Sequence, residues 1–161
     1  MKSPVNLIKS ILVIVLILYD NPAMAKGKFE LSMGYGMPDM LNLRFLYGKN
    51  IQVGASVGGI WNKSKSIEIL YHFAGKSNYV SQAPWYLLGG LGFNDIKGIP
   101  SFAVYDIGFN SRIGRTINFS GKKGINMDIG LFLPLSAASD EGYSYDFKAL
   151  LSWSIGFFIR L

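Results

Sequence analysis

Cysteine is absent from the 161-residue chain, which excludes a disulfide framework and a lipid-modified N-terminal cysteine. Histidine occurs once, as His72, outside any Cys/His or His/Glu spacing, so no zinc or transition-metal site is expected. Charge is also scarce. Asp, Glu, Lys and Arg make up 16% of the residues, where a soluble surface carries roughly 25–35%. Beyond the N-terminal region no apolar run is long enough for a membrane helix, yet mean hydropathy is positive at +0.26. These facts conflict in a soluble protein. They agree in a barrel that crosses a bilayer with strands, where the apolar residues occupy every second position.

The N-terminus reads as a segment removed before folding. Lys2 and Lys9 make a basic start, Ile11 to Tyr19 is an unbroken apolar run of nine, and Pro22 precedes Ala23-Met24-Ala25. That is the order of a secretory signal peptide, and the run falls short of the roughly 20 apolar residues of a spanning helix. The expected division is a cleavable signal peptide over 1–25 and a single domain over 26–161.

Alternation and turn residues mark eight strands in that domain: Lys28 to Gly36, Met40 to Tyr47, Ile51 to Trp61, Ser66 to Phe73, Trp85 to Asn94, Phe102 to Ile113, Ile125 to Leu133 and Phe147 to Leu161. Most are near the roughly 9–11 residues of a tilted membrane-crossing strand. One face gathers Phe29, Leu31, Met33 and Tyr35 with their counterparts in later strands, and all three Trp fall on it. The other gathers Ser32, Gly34, Asn42, Gln52, Ser56, Gly90, Asn110, Asn126, Ser152 and similar residues. Small polar residues suit the narrow interior of a barrel of about eight strands. A soluble lipid-binding barrel reverses the arrangement, with a Lys/Glu-rich exterior, so the apolar face is expected to meet lipid.

The charges test that assignment. Glu30, Glu68, Asp106 and Asp128 fall on the small, polar face, against Arg44, Arg112, Lys148 and Arg160, with His72 beside them. Enclosed charges persist when paired, because desolvation costs several kcal/mol per ion. An internal ion-pair network that plugs the barrel is expected. At the end holding both termini, Lys26, Lys28, Lys49, Lys76, Arg115, Lys122 and Lys123 form a rim without an acid; Asp39, Asp95, Asp140, Glu141 and Asp146 outnumber Lys63, Lys65 and Lys97 at the other. A basic rim suits anionic headgroups, although rim charges also simply keep turns solvated. Ala74 to Pro84 and Gly114 to Gly124 are long for connections at the basic end, which implies either extended strands or a miscounted one.

No cofactor is expected. Gly58-Gly59 and Gly89-Gly90 precede no helix, and Gly75-Lys76-Ser77 lacks the upstream glycine of a phosphate loop. Charge spread around a rim gives no nucleic-acid stripe. Glu68 and His72 lie four apart on one strand face, roughly 13 Å at ~3.3 Å per residue, too far for a direct hydrogen bond.

The last strand carries a resemblance. Odd positions from Ala149 to Leu161 are apolar, and a strand at the chain's end needs a neighbour, which closure onto the first strand supplies. Ser154, Gly156, Ile159 and Leu161 stand where the terminal assembly signal of bacterial outer-membrane barrels places polar, glycine and apolar residues; Leu161 replaces the usual terminal aromatic. In strand pattern, leader and ending the chain resembles the small OmpA-like and OmpX-like barrel superfamily. The resemblance implies an all-β, eight-stranded antiparallel up-and-down transmembrane barrel in a Gram-negative outer membrane, with outer-membrane lipids and the barrel assembly machinery as partners. It implies no activity, and the surface ligand stays open. A non-catalytic envelope-structural or surface-interaction role is the first expectation. A lipid-modifying enzyme similar to the lipid A deacylases is the alternative, but the positions two from His72 are Leu70 and Ala74 where that family places serine. A secreted soluble lipid-binding barrel ranks third.

Overall fold

A computed structural model describes residues 28–37, 40–59, 63–95, 105–137 and 149–161. The expectations for residues 1–27, Asp39, Trp61, Lys97, Asp140, Glu141, Asp146 and Lys148, and for the side chains of Lys63, Asp95 and Asp106, fall outside the described residues.

Eight strands follow in chain order: β1 (Lys28–Met37), β2 (Met40–Gly48), β3 (Ile51–Gly58), β4 (Lys63–Ala74), β5 (Trp85–Asp95), β6 (Tyr105–Asn118), β7 (Lys123–Ala137) and β8 (Leu150–Arg160). Each pairs antiparallel with its sequence neighbours, and β8 returns to β1, closing the barrel. No helix occurs among the described residues. The closing ladder runs from Glu30↔Arg160 to Met37↔Trp153, and Leu161 donates its backbone N–H to the Phe29 carbonyl at 2.8 Å. Closure therefore satisfies the backbone groups that an edge strand would leave unpaired.

Two element boundaries correct the sequence reading. β6 and β7 pair as far as Asn118↔Gly124, so the supposed long connection from Gly114 to Gly124 shrinks to the turn 119–122. The strands outlast their apolar alternation because each supplies the other with ladder partners. β3, conversely, ends at Gly58 and not at Trp61. The connection 75–84 is genuinely long, and the strand count stands.

Side chains alternate around the whole barrel. The outward set is apolar: Phe29 and Met33 are each 61% exposed, and Ile67, Leu87, Ile113, Ile129, Leu131 and Phe157 continue the belt. Inside, the polar set is joined by residues that the small-residue reading did not anticipate. Leu46, Leu70, Tyr86 and Leu88 form an apolar cluster, and Phe132 and Phe158 are fully buried. Glycines on neighbouring strands make the room. A Cβ at Gly114 collides with the Tyr86 ring, one at Gly108 with the Phe132 ring, and one at Gly124 comes within 2.6 Å of Phe158 Cζ. Tyr86 is the ladder partner of Gly114, and Phe158 of Gly124. Ring and glycine together fill the volume of two middle-sized residues, which keeps the interior near native packing density.

Candidate functional site

Six charged side chains are buried inside the barrel among the described residues: Glu30, Glu68 and Asp128 against Arg44, Arg112 and Arg160. They divide into two groups. The larger lies across β2, β4, β6 and β7. Arg44 Nε approaches Glu68 Oε2 at 2.7 Å, and Arg112 Nη1 donates to Asp128 Oδ1 at 3.0 Å. Arg44 Nη1 lies 3.5 Å from Asp128 Oδ2 and so links the two pairs.

Hydroxyls complete these carboxylates. Tyr86 donates to Asp128 Oδ2 at 2.9 Å, and Ser154 to Oδ1 at 2.8 Å. Ser66 and Ser56 donate to Glu68 Oε1 at 2.9 and 3.2 Å. Alternation puts these residues on the inner face, and the ladder sets them side by side: Ser56 is the partner of both Arg44 and Ser66, and Asp128 of Ser154. Buried ions held this way avoid the several-kcal/mol cost of an uncompensated charge.

The second group closes the end at which β1 begins and β8 finishes. Arg160 Nε donates to Glu30 Oε2 at 2.8 Å and its Nη1 to Asn118 Oδ1 at 2.7 Å, while the guanidinium stacks 4.5 Å above the Phe158 ring centroid. His72 belongs to neither group. Its Nδ1 lies 2.7 Å from the Ala83 carbonyl oxygen and its Nε2 2.9 Å from Gln52 Oε1. A carbonyl can only accept, so Nδ1 carries a proton.

His72 thereby fastens the connection 75–84, which bends over this end of the barrel. Gly75 leaves β4 with φ +90°, a left-handed conformation that only glycine adopts cheaply, and it packs against Pro84. Pro84 accepts from the Thr116 N–H at 2.8 Å, Ser77 Oγ accepts from Asn118 Nδ2 at 3.2 Å, and the buried Gln82 donates to the Lys49 carbonyl. Beneath this cap lies a cavity of about 370 Å³ lined by Lys28, Lys49, Gln52, Tyr79, Gln82 and Arg160, among others. Arg115, assigned from sequence to a loop of the basic rim, is instead an outward residue of β6, 5.4 Å above the Trp85 ring centroid.

Of the residues singled out from sequence, the structure brings together Arg44, Glu68, Arg112 and Asp128, pairs Glu30 with Arg160, and sets His72 apart under the cap. The Asp106 side chain and Lys148 lie outside the described residues. In the terminal motif Ser154 and Gly156 face inward, and Ile159 and Leu161 outward. A Cβ at Gly156 comes within 2.7 Å of Asn126 Oδ1 and 3.0 Å of Ser32 Oγ, so a side chain there crowds the hydrogen-bonded Asn126 and Ser32. Sequence reasoning missed Tyr86, an aromatic on the polar face, and Gln82, hidden in a loop. The glycine opposite Tyr86 was the available signal. No group of His, Cys, Asp and Glu suited to a metal occurs among the described residues. Compared with known protein families, curated proteins and solved structures, the chain finds no match.

Proposed function

We propose that the chain is a non-catalytic outer-membrane β-barrel protein with a plugged interior, serving envelope structure or surface interaction. The observation that carries this reading is the belt of large apolar side chains around the outside of a barrel whose ions are sealed within. Water rewards the opposite arrangement, because apolar area left exposed forgoes about 25 cal/mol per Å². A bilayer rewards this one.

The leader-like N-terminus and the terminal motif support export and insertion by the barrel assembly machinery, with outer-membrane lipids as neighbours. The position of His72 supports a packing role over an enzymatic one. Its ring faces inward, both nitrogens hold the cap and its wall, and Leu70 is buried beside it. The reading is tested by expressing the full chain in a Gram-negative host and following three properties. Expected are partition into the outer-membrane fraction, heat-modifiable migration on gels, and an unchanged lipid A mass profile with or without His72→Ala. A mature chain that stays monodisperse in buffer without detergent overturns the membrane assignment; a lipid A profile that changes with the chain and reverts in His72→Ala overturns the non-catalytic one.

A further inference from the structure

We propose that the cavity beneath the 75–84 cap is a binding site for a phosphate-bearing anion. Three cations converge on it: Lys28 at the start of β1, Lys49 in the turn after β2, and Arg160 at the end of β8. Among the described residues the acid near them is Glu30, already engaged by Arg160. Lys76 and Lys122 stand at the same end of the barrel. The local field is therefore positive and directed into a concave space, which concentrates anions.

The site has a fixed element and two adaptable ones. Arg160 is held from three sides, by Glu30, Asn118 and the Phe158 ring, and its buried Nη2 has no hydrogen-bond partner. That nitrogen is closed to solvent, so the locked guanidinium contributes a fixed positive charge beside the cavity. Lys28 and Lys49 are exposed, so their long side chains can close on a ligand from the rim. Gln52 adds a carboxamide to the wall, and Ser81 a hydroxyl. Three positive groups favour a multiply charged anion over a single carboxylate. About 370 Å³ accommodates a phosphate with its substituent.

That chemistry has two sources, a free phosphate compound or the headgroup of an anionic lipid reaching around the rim. The cavity rests on the barrel and its cap, and not on the membrane reading. The experiment uses the refolded mature chain. In neutral-detergent micelles inorganic pyrophosphate is titrated calorimetrically. In nanodiscs of phosphatidylcholine and phosphatidylglycerol, lipids retained on the released protein are counted by native mass spectrometry.

Saturable pyrophosphate binding, weakened about tenfold in Lys28→Gln/Lys49→Gln, supports the site with a free anion as ligand. Selective retention of phosphatidylglycerol, lost in that variant, supports it with a headgroup as ligand. Arg115→Gln/Lys123→Gln removes the same charge from outward residues that do not line the cavity, and either signal should change less than about twofold. All four positions are exposed, so the fold is spared. The proposal is overturned if neither probe binds saturably, or if the two double variants weaken binding equally.

Discussion

Asp128 receives four side chains: Arg112 and Ser154 at Oδ1, Tyr86 at Oδ2, and Arg44 at slightly longer range. Among the described residues it is the carboxylate that two buried arginines share. Asp128→Asn keeps the shape and removes the charge, leaving Arg44 with Glu68 and taking from Arg112 the carboxylate it pairs with. We expect a loss of about 3–5 kcal/mol of unfolding free energy, the range for breaking a buried pair by neutralising one member. Urea unfolding of the folded barrel in lipid vesicles measures it, and a loss below about 1 kcal/mol refutes the shared role. Tyr86→Phe removes one hydroxyl from the same carboxylate and should cost only about 1–2 kcal/mol, because the ring still fills its place.

The glycines under the aromatic rings give a second residue-scale test. At Gly114 even one methyl group meets the Tyr86 ring. Gly114→Ala should therefore destabilise by about 1–3 kcal/mol, the usual cost of overpacking. Adding Tyr86→Leu should recover part of that loss, although it sacrifices the bond to Asp128. Strictly additive losses in the same urea assay count against the ring–glycine fit.

Among the elements, the strands were legible in the sequence because period-two alternation specifies both a strand and its two faces. Ser32 and Asn42 could be placed inside, and Leu31 and Phe45 outside, without a partner in view. The boundaries were not legible. Asn118 enters a strand because it pairs with Gly124, and Lys123 because it pairs with Ile159; pairing is a property of two segments. The large interior residues were hidden for a related reason. Tyr86 and Phe132 are apolar letters at positions where small polar ones were expected, and only neighbouring glycines explain their fit.

The connection 75–84 was the other opaque element. Its composition reads as a loop, and nothing local says that it turns back over the barrel. What holds it is distributed over β3, β4 and β6: Gln52, His72, Thr116 and Asn118. Removing the histidine should loosen this element alone. For His72→Ala we expect hydrogen exchange at 76–83 and at the Thr116 amide to rise about tenfold or more. Ladder amides between β1 and β8, whose partners lie in each other, should remain as protected as in the unaltered chain. Equal acceleration throughout the barrel contradicts a separate capping element.

At the scale of the whole molecule, what matters is which solvent the outer belt meets. Ile129 tests this because it lies mid-strand, 53% exposed, with the uncharged Ile113 and Trp153 as its ladder partners. In water, Ile129→Lys places a charge on a solvent-facing position, costs little and improves solubility. In a bilayer the same lysine sits among acyl chains and costs about 2–4 kcal/mol near the midplane. Lys65, outward near the far end of β4, is already charged, so Lys65→Leu there should alter stability by less than about 1 kcal/mol in either solvent. The outer belt thus predicts a depth-dependent penalty in vesicles, large at Ile129 and small at the rim, read as the shift in urea midpoint. A lysine tolerated at Ile129 in vesicles as readily as at the rim leaves the apolar belt without a membrane to explain it.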